Sequence, residues 1–256
     1  MRQLATEDIL GYPVVVANKD SCVKQIISWI SNSSQVRNFV CANPHSIQVA
    51  QQDKGFQKAL LNADMITPDG VGVIIASKIL KGCIQERVTG SDIFWGLSKK
   101  LSEKQKGSYF FLGSTEEVLD QIREKMAHDF PGIAVVGTYS PPFKSEFSEA
   151  DNEAMVAAIN AVQPDVLWVG MTAPKQEKWI YENKDKLDVK FIGAVGAVFD
   201  FFVGRVQRSH PVFQSMGLEW LPRLLQEPRR LWRRNFISNP MFLMRVLKER
   251  IASLRS

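Results

Sequence analysis

Four apolar runs ending in glycine mark the middle of the chain: Tyr109-Phe110-Phe111-Leu112-Gly113, Ile133-Ala134-Val135-Val136-Gly137, Val166-Leu167-Trp168-Val169-Gly170 and Phe191-Ile192-Gly193-Ala194-Val195-Gly196. None alternates with polar residues, which is the pattern of a strand covered on both faces. The runs repeat at intervals of roughly 25 to 35 residues, and the stretches between them carry helical patterns long enough for crossover connections. Shorter β-rich runs at Val14 to Ala17 and Phe39 to Ala42 alternate with helical patterns near Ser21 to Ser31 and Ser46 to Asn62. The pattern predicts an α/β fold, a Rossmann-like and mainly parallel sheet with flanking helices. Ligands of such sheets sit beyond the carboxyl ends of the strands, where helix N-termini offer unpaired amides to anions.

The pattern changes near Gly204, which separates an α/β core at residues 1–204 from a helical appendage at residues 205–256. In the appendage Asn239 can cap and Pro240 can open a helix with Leu243, Met244, Leu247, Ile251 and Leu254 on one face and Arg245, Lys248 and Arg255 elsewhere. Pro228 opens a second short helix, where Leu231, Trp232 and Phe236 lie opposite Arg229, Arg230, Arg233 and Arg234. Charge sharpens the division. Residues 205–256 hold 11 of the 32 Lys and Arg but 3 of the 27 acids, so they carry +8 while residues 1–204 carry −3. Such a tail suits a polyanion, and its basic and aromatic faces suit an anionic membrane surface; the plainer alternative is that these faces pack on the core with their charges solvated.

With 256 residues and 45% hydrophobic content, the chain can bury a sizeable core. The opening Met1-Arg2-Gln3-Leu4-Ala5-Thr6-Glu7-Asp8 places acids where a signal peptide needs an apolar run. No segment approaches the ~18 apolar residues of a spanning helix, so the expected location is cytoplasmic. Cys22, Cys41 and Cys83 are odd in number and widely spaced, which indicates neither a disulfide framework nor a zinc site.

The chemistry-bearing segments start with Thr67-Pro68-Asp69-Gly70-Val71-Gly72, where a short strand meets a turn and then an apolar helix. Asp69 is thereby offered at a strand end as a general base, although Pro-Asp-Gly is also a common turn. Gly70-Val71-Gly72 begins a G-x-G-x-x-G that ends in Ile75, so the dinucleotide fingerprint fails. In Glu86-Arg87-Val88-Thr89-Gly90-Ser91-Asp92, Ser91 or Asp92 can cap a helix, and Arg87 can hold a phosphate or pair with a nearby acid. Pro174-Lys175-Gln176-Glu177 opens a helix after a strand, placing Gln176 at a phosphate-binding edge or in a solvated first turn.

Taken in order, Asn43, Thr67 to Gly72, Glu86 to Gly90, Leu112-Gly113, Pro174 to Glu177, Gly193 to Phe201 and the long run Glu219 to Leu231 resemble the WecG/TagA/CpsF glycosyltransferases over nearly the whole chain. The resemblance implies a membrane-associated, inverting transferase. It would move a sugar from a UDP-sugar donor to a polyprenyl-diphosphate-linked saccharide, for cell-envelope polysaccharide, at the inner face of the membrane. It implies Asp69 as catalytic base, Arg87 as a catalytic or phosphate-binding residue, Asn43 and Gly70 in the substrate pocket, and Gln176 as a donor-site residue. Arg223, Arg230 and Arg233 match tail arginines that close over the diphosphate. Oligomers are compatible with it, and no cofactor is implied.

Leaving-group charge needs a divalent metal or several arginines. The chain has no D-x-D triplet and many arginines, so metal-independent catalysis is expected. Cys41, Met171-Thr172-Ala173 and Arg208-Ser209-His210-Pro211 depart from the family pattern. Cys41 reads as a small buried residue, and His45 and His210 as structural. The rivals are a peripheral nucleic-acid-binding protein, disfavoured by the negative core, and a nucleotide-dependent oxidoreductase, disfavoured by the missing third glycine.

Overall fold

The computed structural model of the chain describes residues 4–206 and 234–254. Its centre is an eight-stranded sheet in the order β1-β2-β4-β3-β8-β7-β5-β6, formed by β1 (Thr6–Ile9), β2 (Tyr12–Val15), β3 (Arg37–Ala42), β4 (Met65–Pro68), β5 (Ser108–Gly113), β6 (Ala134–Tyr139), β7 (Val166–Gly170) and β8 (Phe191–Ala194). Among the described residues only β1 and β2 pair antiparallel, and every other pairing is parallel. The connecting helices are α1 (Lys19–Asn32), α2 (Pro44–Ala50), α3 (Lys54–Leu61), α4 (Val71–Leu80), α5 (Gly90–Glu103), α6 (Glu116–Asp129), α7 (Glu149–Asn160), α8 (Lys175–Asn183) and α9 (Val198–Val203), and α10 (Asn239–Ser253) follows.

Alternate side chains of each central strand enter two apolar clusters, one on either face. Phe110, Leu112, Leu167, Val169 and Ile192 join one; Tyr109, Phe111, Val166, Trp168 and Phe191 join the other. Burial on both faces is why these runs lack polar alternation. At the amino-terminal edge, ion pairs hold the strands together. Asp64 accepts from Arg37 at 2.6 Å, from Lys184 at 2.5 Å and from the Asn38 amide at 2.9 Å. Asp165 similarly receives Lys190 at 2.6 Å and the Ser108 amide at 2.9 Å. The carboxyl-terminal edge is thus left for chemistry.

Several sequence expectations are corrected locally. Thr6–Ile9 is an edge strand that the polar opening hid. The helical pattern at Ser46 to Asn62 is two helices, because Asp53 accepts the Phe56 amide at 2.9 Å and caps a new start. The residue that caps α5 is Thr89, neither Ser91 nor Asp92; Asp92 instead completes the capping box from the first turn. As the sheet's last strand, β6 is half-exposed over most of its length, unlike the other three glycine-ended runs.

Candidate active site

The neighbours β4, β3, β8 and β7 each deliver one segment to a common carboxyl-terminal edge. After β3 comes Asn43, the N-cap of α2: its Oδ1 accepts the Ser46 amide at 3.0 Å, and Ser46 Oγ receives the Asn43 amide at 2.8 Å. This box consumes the acceptor of the Asn43 side chain and leaves its NH₂ donors for other partners. After β4 comes Asp69, half-buried, with its amide bound to the Ala42 carbonyl at 2.8 Å. Gly70 follows at φ 114°, a conformation that L side chains rarely adopt, and turns the chain into α4. A Cβ on Gly72 would lie 2.4 Å from Pro44 Cγ, so glycine there lets the starts of α2 and α4 approach and holds Asn43 near Asp69.

The Arg87 segment reaches this edge through the Val88 amide, which donates to the Pro68 carbonyl at 2.9 Å; Arg87 itself is half-buried. Beneath Asp69, Cys41 and Thr67 are register partners on β3 and β4, and Thr67 Oγ1 donates to Cys41 Sγ at 3.4 Å. Burial, then the neighbouring Asp69 charge, pushes the Cys41 thiol well above its usual range, so it is no nucleophile at neutral pH. Cys41 is half-buried against the core cluster, short of the full burial that its sequence reading expects.

After β7, Gln176 and Glu177 occupy the first turn of α8 with only 5% and 4% of their surfaces exposed. The solvated alternative for this turn is therefore wrong: the residues point inward. Gln176 Oε1 accepts the Gly196 amide at 3.0 Å, joining the ends of β7 and β8, while Gln176 Nε2 donates to Glu177 Oε1 at 2.8 Å. Burial pushes the Glu177 carboxyl up to about 7, against the opposing hydrogen bond from Gln176.

The structure thus brings Asn43, Asp69, Gly70, Arg87 and Gln176 to one edge of the sheet. Arg223, Arg230 and Arg233, with Arg208-Ser209-His210-Pro211, lie outside the described residues. Glu177 was missed as a candidate, although its place beside Gln176 in the Pro-Lys-Gln-Glu run was the available signal. Among the described residues, no three His, Cys, Asp or Glu side chains converge as a metal-binding set.

The model for the glycosyl transferase WecG/TagA/CpsF family matches residues 7–256. The chain belongs to that family. It is 35% identical over 216 residues to an N-acetylglucosaminyldiphosphoundecaprenol N-acetyl-beta-D-mannosaminyltransferase of Bacillus spizizenii, covering 84% of this chain and 80% of the relative. Enzymes of the same description from Staphylococcus aureus strains MW2 and MRSA252 are 27% identical over 245 residues, 95% of this chain and 93% of theirs. The WecG/TagA/CpsF assignment makes the chain a glycosyltransferase.

The last helix of this glycosyltransferase returns to the edge that carries Asp69. Phe242 and Val246 of α10 are fully buried in the core cluster that includes Ile47, Val73 and Ala76 of α2 and α4. His45 Nδ1 shares a 2.9 Å hydrogen bond with Ser238 Oγ, and Arg245 donates to Gln51 Oε1 at 2.6 Å. Both bonds fasten α10 to the helix that Asn43 caps. The apolar face expected from sequence looks the other way: Met244, Leu247, Ile251 and Leu254 are 48–68% exposed, while Leu243 is partly buried. Packing on the core does not account for those four residues. Among the described residues, no helix is long and apolar enough to cross a membrane.

Proposed function

We propose that this glycosyltransferase moves N-acetylmannosamine from UDP-N-acetylmannosamine to a polyprenyl-diphosphate-linked N-acetylglucosamine, with inversion at the anomeric carbon. The sugar and acceptor follow the activity named for the relatives, and the UDP donor follows the family resemblance. The observation that carries the reading is the placement of Asp69. It is a half-exposed carboxylate at the carboxyl edge of β4, with Asn43 after the adjacent β3 and Gln176 after β7 along the same edge.

An alcohol attacks poorly until its proton is taken during bond formation. In the proposed step Asp69 accepts the proton of the acceptor hydroxyl as its oxygen bonds to the anomeric carbon. The bond from that carbon to the β-phosphate oxygen breaks on the opposite face, and its electron pair leaves with UDP. Arg87, with Arg223, Arg230 and Arg233 of the appendage, offsets the charge that grows on the diphosphate. Several guanidinium groups can supply the stabilisation that a metal supplies elsewhere, so catalysis is proposed to be metal-independent.

Residues 205–256 act in this reading as active-site lid and membrane contact. The exposed Met244, Leu247, Ile251 and Leu254 would enter the headgroup boundary of an anionic bilayer with the neighbouring Lys and Arg at its surface, which brings the catalyst to a lipid-borne acceptor at the inner face. The nucleic-acid alternative gains nothing from the relatives, whose named acceptor is a lipid-linked sugar.

The test is a panel of UDP-sugars with a synthetic polyprenyl-diphosphate N-acetylglucosamine, read by product mass, with and without a chelator. One added N-acetylhexosamine from UDP-N-acetylmannosamine is expected in both conditions. Turnover with another UDP-sugar alone overturns the donor assignment, and loss in chelator restored by a divalent ion overturns metal independence.

A further inference from the structure

We infer that Glu177 is a positioning residue for the donor site, whose carboxylate fixes the orientation of the Gln176 amide and thereby the N–H that Gln176 offers to the sugar nucleotide. The inference rests on the reading of Gln176 as a donor-site residue. It begins from an account of hydrogen bonds. A glutamine amide has one oxygen and two N–H donors. In Gln176 the oxygen takes the Gly196 amide at 3.0 Å and one N–H goes to Glu177 Oε1 at 2.8 Å, which leaves one N–H. Reversing the amide would set its NH₂ against the Gly196 N–H and its oxygen against the carboxylate, two repulsive contacts. With Glu177 ionised, both partners therefore select the same orientation. With Glu177 protonated, Oε1 still accepts but more weakly, and with Glu177 absent the Gly196 contact acts alone.

The second observation is the other carboxyl oxygen. Glu177 Oε2 is buried and has no hydrogen-bond donor among the described residues. A buried acceptor left without a donor is costly, and the cost is far greater for a charged one. The capping-box acids Asp92 and Asp151 take the N-cap amide and hydroxyl on Oδ2 and are only half-buried, whereas Glu177 is 4% exposed and caps no helix start. Glu177 instead keeps an oxygen on which a proton can settle, and burial favours that proton. An acid at this position weakens Oε1 as an acceptor and loosens the lock on Gln176.

Donor binding should therefore weaken as pH falls through about 7, the value to which burial raises Glu177. The other titratable groups acting in this neighbourhood are the Cys41 thiol on β3 and the Asp69 carboxyl after β4. β8, which packs against α8, contributes no titratable side chain. On α3, Asp53 is paired with Lys178 at 3.2 Å on the partly exposed side of α8, and Lys175 donates to the Lys144 carbonyl.

The experiment titrates UDP-N-acetylmannosamine at saturating lipid acceptor, from about pH 5.5 to 8.5, with the full chain and the variants Gln176→Ala, Glu177→Ala and Glu177→Gln. Gln176→Ala and Glu177→Ala are expected to raise the donor KM about tenfold or more while kcat stays within about threefold. Glu177→Gln, whose neutral amide oxygen accepts as the protonated acid does and not as the carboxylate does, should show at every pH the raised donor KM that wild type reaches on its acid side. A wild-type donor KM in Glu177→Ala, with a raised KM in Gln176→Ala, overturns the inference and leaves the donor-site reading standing. A wild-type KM in Gln176→Ala overturns both. Equal loss of kcat and KM in Glu177→Ala with a lower Tm assigns Glu177 a merely structural part and also overturns it. If Glu177→Ala does not fold, Glu177→Gln decides alone, and an acid-side rise that persists in it sinks the inference.

Discussion

Truncating Phe242 should undock the last helix without unfolding the sheet. The ring is fully buried against α2 and α4, and with Val246 it is the fully buried apolar contact of α10 with the core cluster. Phe→Ala at such a site costs about 3–5 kcal/mol, the transfer of the ring plus the cavity left behind. Against it stand the rest of the Val246 contact and the two hydrogen bonds, His45 to Ser238 and Arg245 to Gln51, each worth about 1 kcal/mol net. The loss is therefore comparable with everything else that holds the helix. The sheet draws on separate contacts and keeps its own stability, so the opening should be local. Hydrogen exchange on Phe242→Ala is the assay: amides of α10 should lose protection by a factor of about 10² or more while those of β5 and β7 keep wild-type rates. Transferase activity should fall with it, because α10 is fastened to the helix capped by Asn43. Wild-type protection of α10, or uniform loss across the whole molecule, refutes the picture of a separately docked helix.

Asp69→Asn should lower kcat by about 10² to 10⁴ with the donor KM nearly unchanged, as removal of a general base does; a near wild-type rate sends the base elsewhere. Leu247→Asp with Ile251→Asp, both half-exposed, should leave the Tm within about 2 °C yet reduce pelleting with anionic vesicles by about tenfold or more, since each residue forfeits most of the ~1.5–3 kcal/mol of burying an apolar side chain; unchanged pelleting removes the stripe from the membrane contact. Asp64 gives a pH test of the fold. Burial would raise its carboxyl, but hydrogen bonds from Lys184, Arg37 and the Asn38 amide outweigh this and hold it below the usual range. A depressed carboxyl contributes stability above its unfolded value, near 3.9, that is lost as pH falls through the folded value. Asp64→Asn should then cost about 1–2 kcal/mol at pH 7 in urea unfolding and less at pH 3, and an equal cost at both pH values contradicts the pairing.

The sequence by itself determined the central strands of the sheet, because strands buried on both faces must be written as unbroken apolar runs. Phe39 to Ala42, Tyr109 to Gly113, Val166 to Gly170 and Phe191 to Ala194 are such runs, and each is a strand. It also determined the loops that carry Asn43, Asp69, Arg87 and Gln176, since turn and cap chemistry is local: a Pro-Asp-Gly after a strand or a Pro before a first helical turn needs no distant partner. Two things depended on tertiary structure. One is burial of the first turn of α8, where Glu177 looks solvated in sequence and becomes an enclosed acid once α8 packs on α3 and β8. The other is which side of α10 meets the core. That helix is apolar on two faces, and periodicity cannot rank them. Phe242 and Val246 went inward because the gap between α2 and α4 receives them, which left Met244, Leu247, Ile251 and Leu254 facing outward. Local chemistry is a property of neighbours along the chain, whereas desolvation is set by whatever the fold brings from far away.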